Sequence, residues 1–187
     1  MTAQNIALIV GLLLVIIALS FFIGIFNKLV MLKNNIEKAF MNIDVILKQR
    51  ADEIPELVKV TSAYMEHEKS MLTNLTRLRT DFMNSTTIDE KIANSSELAK
   101  ATKSLFAVSE NYPALLSNNN FLELQKRISQ MEDKIADRRE YYNDSVNLYN
   151  IGIQEFPNLL LAGLLGYRQK NLFIISQEEK TYNGIQL

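Results

Sequence analysis

IALIVGLLLVIIALSFFIGIF, the segment from Ile6 to Phe26, contains 21 residues with no charge and a single polar side chain, Ser20. A helix rises about 1.5 Å per residue, so the segment covers roughly 30 Å, the thickness of the hydrocarbon core of a bilayer. A helix also satisfies its own backbone hydrogen bonds within lipid. The segment therefore predicts one transmembrane helix over residues 6–26.

The charges on either side of this helix predict its orientation. Residues 1–5 contain no Lys or Arg, whereas Lys28, Lys33 and Lys38 follow the apolar segment. The positive-inside rule then places the short N-terminus outside and the rest of the chain in the cytoplasm. A cleaved signal peptide is the alternative, but the sequence lacks the basic start, short apolar core and small-residue cleavage site that such a peptide needs.

The composition excludes several classes of function. The 20 basic and 21 acidic residues balance, which leaves no clustered basic face for nucleic acid. There is no cysteine, so disulfides, thiol nucleophiles and Cys-ligated metals are absent. With only six Gly and three Pro and no sustained alternation of apolar and polar residues, the chain is predicted to be all-α.

The only histidine, His67, does not belong to a metal-binding motif. The Glu-x-x-His motif of di-iron bundles would need an acid where Tyr64 stands, and the zincin motif would need a second histidine where Met71 stands. No Gly-rich phosphate loop is present either. We therefore predict no metal, no cofactor, no small-molecule substrate and no enzymatic activity.

Apolar residues after the membrane segment repeat at spacings of three and four, the pattern of helices in a bundle. Pro55 interrupts the first helix, as either a kink or a restart. Thr87 and Glu90 form a capping-box pattern for a second helix, and a third is predicted from Asn120 to Gln154. The fold class is a single N-terminal transmembrane helix that continues into an elongated antiparallel bundle of three or four helices. The predicted stripe of the third helix comprises Phe121, Leu124, Ile128, Met131, Ile135, Tyr142, Tyr149 and Phe156.

Two features are candidate sites for contact rather than for catalysis. The segment LLLAGLLGY is almost wholly apolar, but its nine residues are too few to span a bilayer, which takes about 20. It could pack on its own bundle, on another subunit or on the membrane interface. Its candidate self-association residues are Leu159, Leu160, Leu161, Gly163, Leu164, Leu165, Gly166 and Tyr167.

The second feature is a repeated Tyr-Asn pair, Tyr142-Asn143 and Tyr149-Asn150, seven residues apart. Both tyrosines fall on the predicted buried stripe, with the asparagines beside them. One interpretation is a polar ladder that fixes the register of the bundle, and the other is a contact surface for another subunit.

Three blocks of the chain resemble the LemA family. They are NKLVMLKNNIEKAFMNIDVILKQRADEIPELVKVTSAYMEHE from residue 27, ENYPALLSNNNFLELQKRISQMEDKIADRREYYN from residue 110, and YNIGIQEFPNLLLAGLLGY from residue 149. The matching positions include Asn34, Glu37, Asn42, Asp44, Arg50, Pro55, Tyr64, His67, Tyr112, Pro113, Gln125, Glu132, Arg139, Tyr142, Asn143, Tyr149, Asn150, Pro157, Gly163 and Gly166. The resemblance implies a bacterial membrane helix followed by a helical cytoplasmic domain, and it brings no assigned activity. Magnetosome-formation proteins look like relatives, and some members are encoded beside a membrane metalloprotease.

These observations predict four regions: an outer N-terminus (1–5), the membrane helix (6–26), a LemA-like bundle (27–167) and a tail (168–187). The first functional hypothesis is a scaffold in the bacterial inner membrane that forms homo-oligomers and organises membrane or partner proteins. The second is an adaptor or regulatory binding module for a membrane protein, such as a membrane protease. The expected partners are the lipid bilayer and other proteins, not nucleic acid.

Overall fold

The computed structural model describes residues 3–174, and every regular element within them is a helix. The elements are α1 (Ala3–Ser62), a 3-10 turn (Glu66–Glu68), α2 (Lys69–Asn84), α3 (Ile88–Ser109), α4 (Pro113–Leu116), α5 (Asn119–Gly152) and α6 (Asn158–Leu164). The all-α prediction is confirmed, with one long apolar N-terminal helix and further helices that pack together.

The described chain divides into two compact units. The anchor unit consists of residues 3–38 and 143–172, and the bundle unit consists of residues 39–142 and 173–174. Helices α1 and α5 each contribute residues to both units. The predicted tail falls partly within this description, while its final stretch, residues 175–187, lies outside the described residues.

The bundle unit has four long helical segments, and successive ones run in opposite directions. Residues of α5 pair with α1 in descending order along the chain, residues of α3 pair with it in ascending order, and α2, which follows the reversal after Ser62, brings Arg79 back to Ala51. This is the up-down-up-down topology of a four-helix bundle. The pairs that fix these directions are Arg79 with Ala51, Lys91 with Asp44, Arg50 with Ser95, Arg50 with Glu132, Arg127 with Glu53, and Asn118 with Tyr64.

The predicted stripe of α5 lies in the core over most of its length, and the apolar repeat predicted after the membrane segment is buried on α1 at Leu29, Ile36 and Ile43. On α5, every seventh residue from Phe121 to Tyr149 is buried, and Met131 is half-buried. On α1 the buried stripe also includes a charged residue, Arg50, seven positions after Ile43. The buried residues of α1 on these repeats are Leu29, Ile36, Phe40, Ile43, Leu47, Arg50, Ile54, Leu57 and Thr61.

Helix ends follow local chemistry more closely than the heptad pattern. The Thr87–Glu90 capping box is confirmed, and the Asn118 side chain caps α5 by accepting hydrogen bonds from the backbone N–H of Asn120 and Phe121. The prediction that α5 extends to Gln154 is wrong, because it ends at Gly152, so Phe156 lies outside the helix and is 82% exposed.

A break after α1 was not predicted from the sequence. The apolar pattern continues from Leu57 towards Asn84, yet the chain leaves α1 at Ser62 and reverses through the 3-10 turn. Met65 is completely buried at this turn, so an apolar residue that fits a helical stripe instead anchors the loop. Consequently residues 69–84, which fit a continuation of the first helix, form a separate helix, α2, ahead of the predicted second helix, which is α3.

Candidate functional site in the anchor unit

Within residues 3–174, α1 is the one helix that is long and apolar enough to cross a bilayer. Its most apolar 18-residue window has a mean hydropathy of 3.2, and no residue of that window is buried. Protein contacts begin at the end of the segment, where Ile25 is buried and Leu29 is completely buried. The polypeptide therefore covers α1 only from the predicted membrane boundary onward.

Helix α5 returns to α1 at this boundary and packs closely against it. The Nζ of Lys28 lies 3.1 Å from a carboxylate oxygen of Glu155. One turn further along, Gly152 meets Leu32, and a Cβ at Gly152 would lie 2.4 Å from the Cδ1 of Leu32. The absence of a side chain at Gly152 thus permits the close approach of the two helices.

After Gly152 the chain forms the short helix α6, which leaves a row of leucines in solvent. Asn158 fixes the start of α6 by donating a hydrogen bond of 2.9 Å from Nδ2 to the carbonyl of Gly152. Ala162 is buried and Leu161 is half-buried, so one side of α6 faces the anchor unit. The opposite side is the leucine ridge, formed by Leu159, Leu160, Leu164 and Leu165, which are 50%, 66%, 82% and 42% exposed.

The two glycines of this segment have different roles. Gly166 has a φ of +71°, a conformation that glycine adopts without strain. It ends α6 in a Schellman motif, in which the N–H of Gly166 bonds to the carbonyl of Gly163 and the N–H of Tyr167 bonds to the carbonyl of Ala162. Gly163 has open space where a Cβ would stand, so it leaves room for a neighbour on the solvent side.

The repeated Tyr-Asn pairs lie in different units. Tyr142 is buried in the bundle unit, where its ring meets Phe40 at 6.0 Å, and Asn143, the first residue of α5 in the anchor unit, is half-buried. Tyr149 and Asn150 instead hold the segment that follows α6. This division suggests separate roles for the two pairs.

The second pair forms a clasp on residues 168–170. The hydroxyl of Tyr149 donates to the carbonyl of Arg168 at 3.0 Å. The amide of Asn150 makes two hydrogen bonds with the backbone of Lys170, each 2.9 Å long. Burial raises the pKa of the Tyr149 phenol above its ordinary value. The clasp fixes the positions of two cationic residues.

An open cavity of about 490 Å³ lies between the end of the apolar segment and the clasped residues. Phe26 and Leu165 give it an apolar side, and Lys33, Arg168 and Lys170 give it a basic side. Among the described residues, no Asp or Glu lines it. The described lining is Phe26, Lys33, Tyr149, Leu165, Gly166, Tyr167, Arg168 and Lys170.

Arg168 and Lys170 were not predicted as site residues, because they lie in the region predicted to be a tail without a motif. Two basic residues that directly follow an apolar segment were the available clue. No role was predicted for Arg50 either, although a charged residue at a stripe position indicates a buried polar contact. The Arg50 guanidinium is buried and donates to Glu132 and to the carbonyl of Ser95.

The bundle unit offers little that resembles a catalytic centre within the described residues. An open cavity of about 540 Å³ between α3 and α5 includes Lys103, Glu132 and Asp133, and the Glu132 carboxylate is already paired with Arg50. His67 is exposed in the 3-10 turn. Within residues 3–174 no group of three or more His, Asp or Glu side chains is placed to hold a metal ion.

A long apolar helix that leads into packed helices, with an apolar ridge and a basic cavity where the apolar segment ends, defines a membrane-associated helical protein. The chain belongs to the LemA family, whose family model matches residues 39–186. This match extends into the residues that the sequence analysis assigned to the tail.

Magnetosome proteins are similar to part of the chain. The magnetosome proteins MamQ 1 and MamQ 2 of Paramagnetospirillum magneticum are each 38% identical to it over 69 residues. The magnetosome protein MamQ of Magnetospirillum gryphiswaldense is 33% identical over the same length. The matched part is 37% of this chain, which spans only about a quarter (25%) of the length of these curated relatives.

Proposed function

We propose that the chain is a non-enzymatic scaffold in the bacterial inner membrane, which self-assembles and organises membrane or partner proteins. The observation that carries this proposal is the leucine ridge of α6, which is exposed beside the end of the membrane segment. Leu160 and Leu164 expose 66% and 82% of their surface. Exposed apolar surface of this kind is a common feature of association sites.

The anchor favours association between copies of this chain. α6 is part of the same compact unit as the membrane segment, so its height above the bilayer is the same in every anchored copy. A two-fold axis along the membrane normal would therefore bring two ridges together. Confinement to the membrane plane also raises the local concentration of copies and restricts their orientation, which lowers the entropic cost of pairing.

The test is the size of the detergent-solubilised full chain with Leu160→Ser and Leu164→Ser combined. The expected result is a smaller particle with unchanged helicity, measured by light scattering and circular dichroism. Leu122→Ser is the matched control, because Leu122 is an exposed leucine (44%) on α5. An unchanged size in the double variant would refute assembly through α6, and a loss of helicity would make the ridge part of the core.

The proposed orientation places the N-terminus outside and residues 27–187 in the cytoplasm. It rests on the absence of Lys and Arg before the membrane segment and on Lys28, Lys33 and Lys38 after it. A reporter fused to the C-terminus should be active only on the cytoplasmic side. Activity on the outer side would refute the orientation, and release of the protein by carbonate washing would refute the anchor.

An adaptor for a membrane protein, such as a membrane protease, is the second candidate. It is favoured by an exposed apolar pair on α5 in the anchor unit, Leu148 (61%) and Ile151 (46%), which lie three residues apart on one face. A parent chain that is monomeric in mild detergent would favour the adaptor over the scaffold. Cross-linking from position 148 in membranes would then identify the bound protein.

A further inference from the structure

The three cations that line the 490 Å³ cavity, Lys33, Arg168 and Lys170, have few carboxylate partners among the described residues. Within residues 3–174, Arg168 and Lys170 form no ion pair with a carboxylate, and Lys33 has only an exposed partner, Glu37, at 4.0 Å. All three cations line the same cavity, and no acidic residue of the described chain lines it with them. A concentration of like charge beside an apolar wall is unfavourable unless an anion shares the space.

The cavity also lies at the level where a bilayer changes from hydrocarbon to headgroups. Phe26 is the last residue of the apolar segment, and Lys33 is seven residues, or about 10 Å, further along α1. Tyr167 lines the cavity and is half-buried, and tyrosine is a residue type that is enriched at membrane interfaces. The apolar side of the cavity is therefore the side nearer to the acyl chains.

We infer that this cavity binds the headgroup of an anionic phospholipid from the surrounding bilayer leaflet. Lys33, Arg168 and Lys170 contact the phosphate, and Phe26 and Leu165 contact the first part of the acyl chains. The Tyr149–Asn150 clasp positions the two cations of the segment before the lipid arrives. This inference does not require self-association, since it needs no second copy and shares only Leu165 with the leucine ridge.

The apolar wall distinguishes a lipid from a soluble anion. Inorganic phosphate or glycerol phosphate would use the cations but would leave Phe26 and Leu165 in water. A phospholipid uses both sides of the cavity, and about 490 Å³ is within the range of ligand-binding sites. An anchored chain also meets lipid at a far higher local concentration than any soluble anion.

The experiment compares phosphatidylglycerol with phosphatidylcholine on the full chain in detergent, by native mass spectrometry. The parent chain should retain phosphatidylglycerol in preference to phosphatidylcholine. Arg168→Gln with Lys170→Gln should weaken retention of phosphatidylglycerol by about fivefold for each cation removed at low ionic strength. Lys33→Gln provides a second test from a different helix, and higher salt should reduce the preference in the parent.

The matched control combines Lys126→Gln with Arg138→Gln, which removes two exposed cations of α5 that do not line the cavity. This control should retain the preference, and circular dichroism should show equal helicity for all variants. Equal retention of the two lipids by the parent would overturn the inference. So would an equal loss in the control, full retention in both cavity variants, or complete displacement by an equal concentration of glycerol phosphate.

Discussion

The Nε of Arg79 in α2 donates a hydrogen bond of 2.9 Å to the backbone carbonyl of Ala51 in α1. Ala51 lies four residues before Pro55, which has no N–H to offer to that carbonyl. α1 nevertheless continues without a break to Ser62. A side chain from a neighbouring helix thus replaces the hydrogen bond that proline removes, and the alternative of a helix restart at Pro55 is excluded.

We expect Arg79→Met to lower the free energy of unfolding by roughly 1–3 kcal/mol, because it leaves the partly buried Ala51 carbonyl without a donor. Urea denaturation of the detergent-solubilised protein, followed by circular dichroism, measures this loss. In a Pro55→Ala background the backbone N–H at position 55 can donate to the Ala51 carbonyl. Arg79→Met should then lower the free energy of unfolding by a smaller amount. Equal losses in both backgrounds would contradict this role of Arg79.

The buried Arg50 is expected to be the most sensitive charged residue of the bundle unit. It pairs with Glu132, and its Nε has no hydrogen-bond partner within the described residues. Arg50→Ala would remove both its ion pair and its bond to the buried Ser95 carbonyl, at a cost of roughly 1–3 kcal/mol. Thermal melts of Arg50→Ala, Glu132→Ala and the double variant would measure the coupling, and additive losses would show that the pair contributes little.

The clasp predicts a local effect at Asn150. Asn150→Ala removes both hydrogen bonds to Lys170, so residues 168–170 should separate from α5 more often. Because trypsin cleaves after Arg and Lys, the variant should be cut faster at Arg168 and Lys170, with little change in the melting temperature. Asn147→Ala, an exposed position on the same helix, is the control, and equal cleavage of the two variants would argue against a clasp.

Tyr142 predicts a loss of stability at alkaline pH. Burial, and then the charge of Asp89, raise its pKa from 10.0 to about 12 in the folded protein. The folded state therefore favours the protonated phenol, so this stabilisation is complete below pH 10 and is lost as the pH rises towards 12. Tyr142→Phe cannot ionise and should show a shallower loss of unfolding free energy over this range, and parallel curves would contradict the assignment.

Much of the fold follows from local sequence alone. The length and lack of charge of segment 6–26 predict one long helix that matches the thickness of a bilayer. The seven-residue repeats from Leu29 and from Phe121 predict which faces are buried, since a helical period brings those side chains to one side. The capping box at Thr87 could be predicted from the four residues that form it, 87–90.

Features that depend on a second helix could not be predicted in the same way. Gly152, the last residue of α5, lies where a Cβ would clash with Leu32 of α1, a contact that the sequence around Gly152 does not encode. After the break at Ser62, Met65 is buried in the loop, although an apolar residue there also fits a continuous stripe. Periodicity records that a residue is buried but not which neighbour buries it.

The same distinction applies to the candidate site. The sequence by itself determined an apolar helix, its basic flank at Lys28 and Lys33, and an apolar segment too short to span a membrane. Only the tertiary structure brought Arg168 and Lys170 from the far end of the chain to Phe26 and Lys33. The reason is that, within the anchor unit, the end of α5 packs against α1 at Gly152 and Leu32, a contact between residues far apart in the chain that no local pattern encodes.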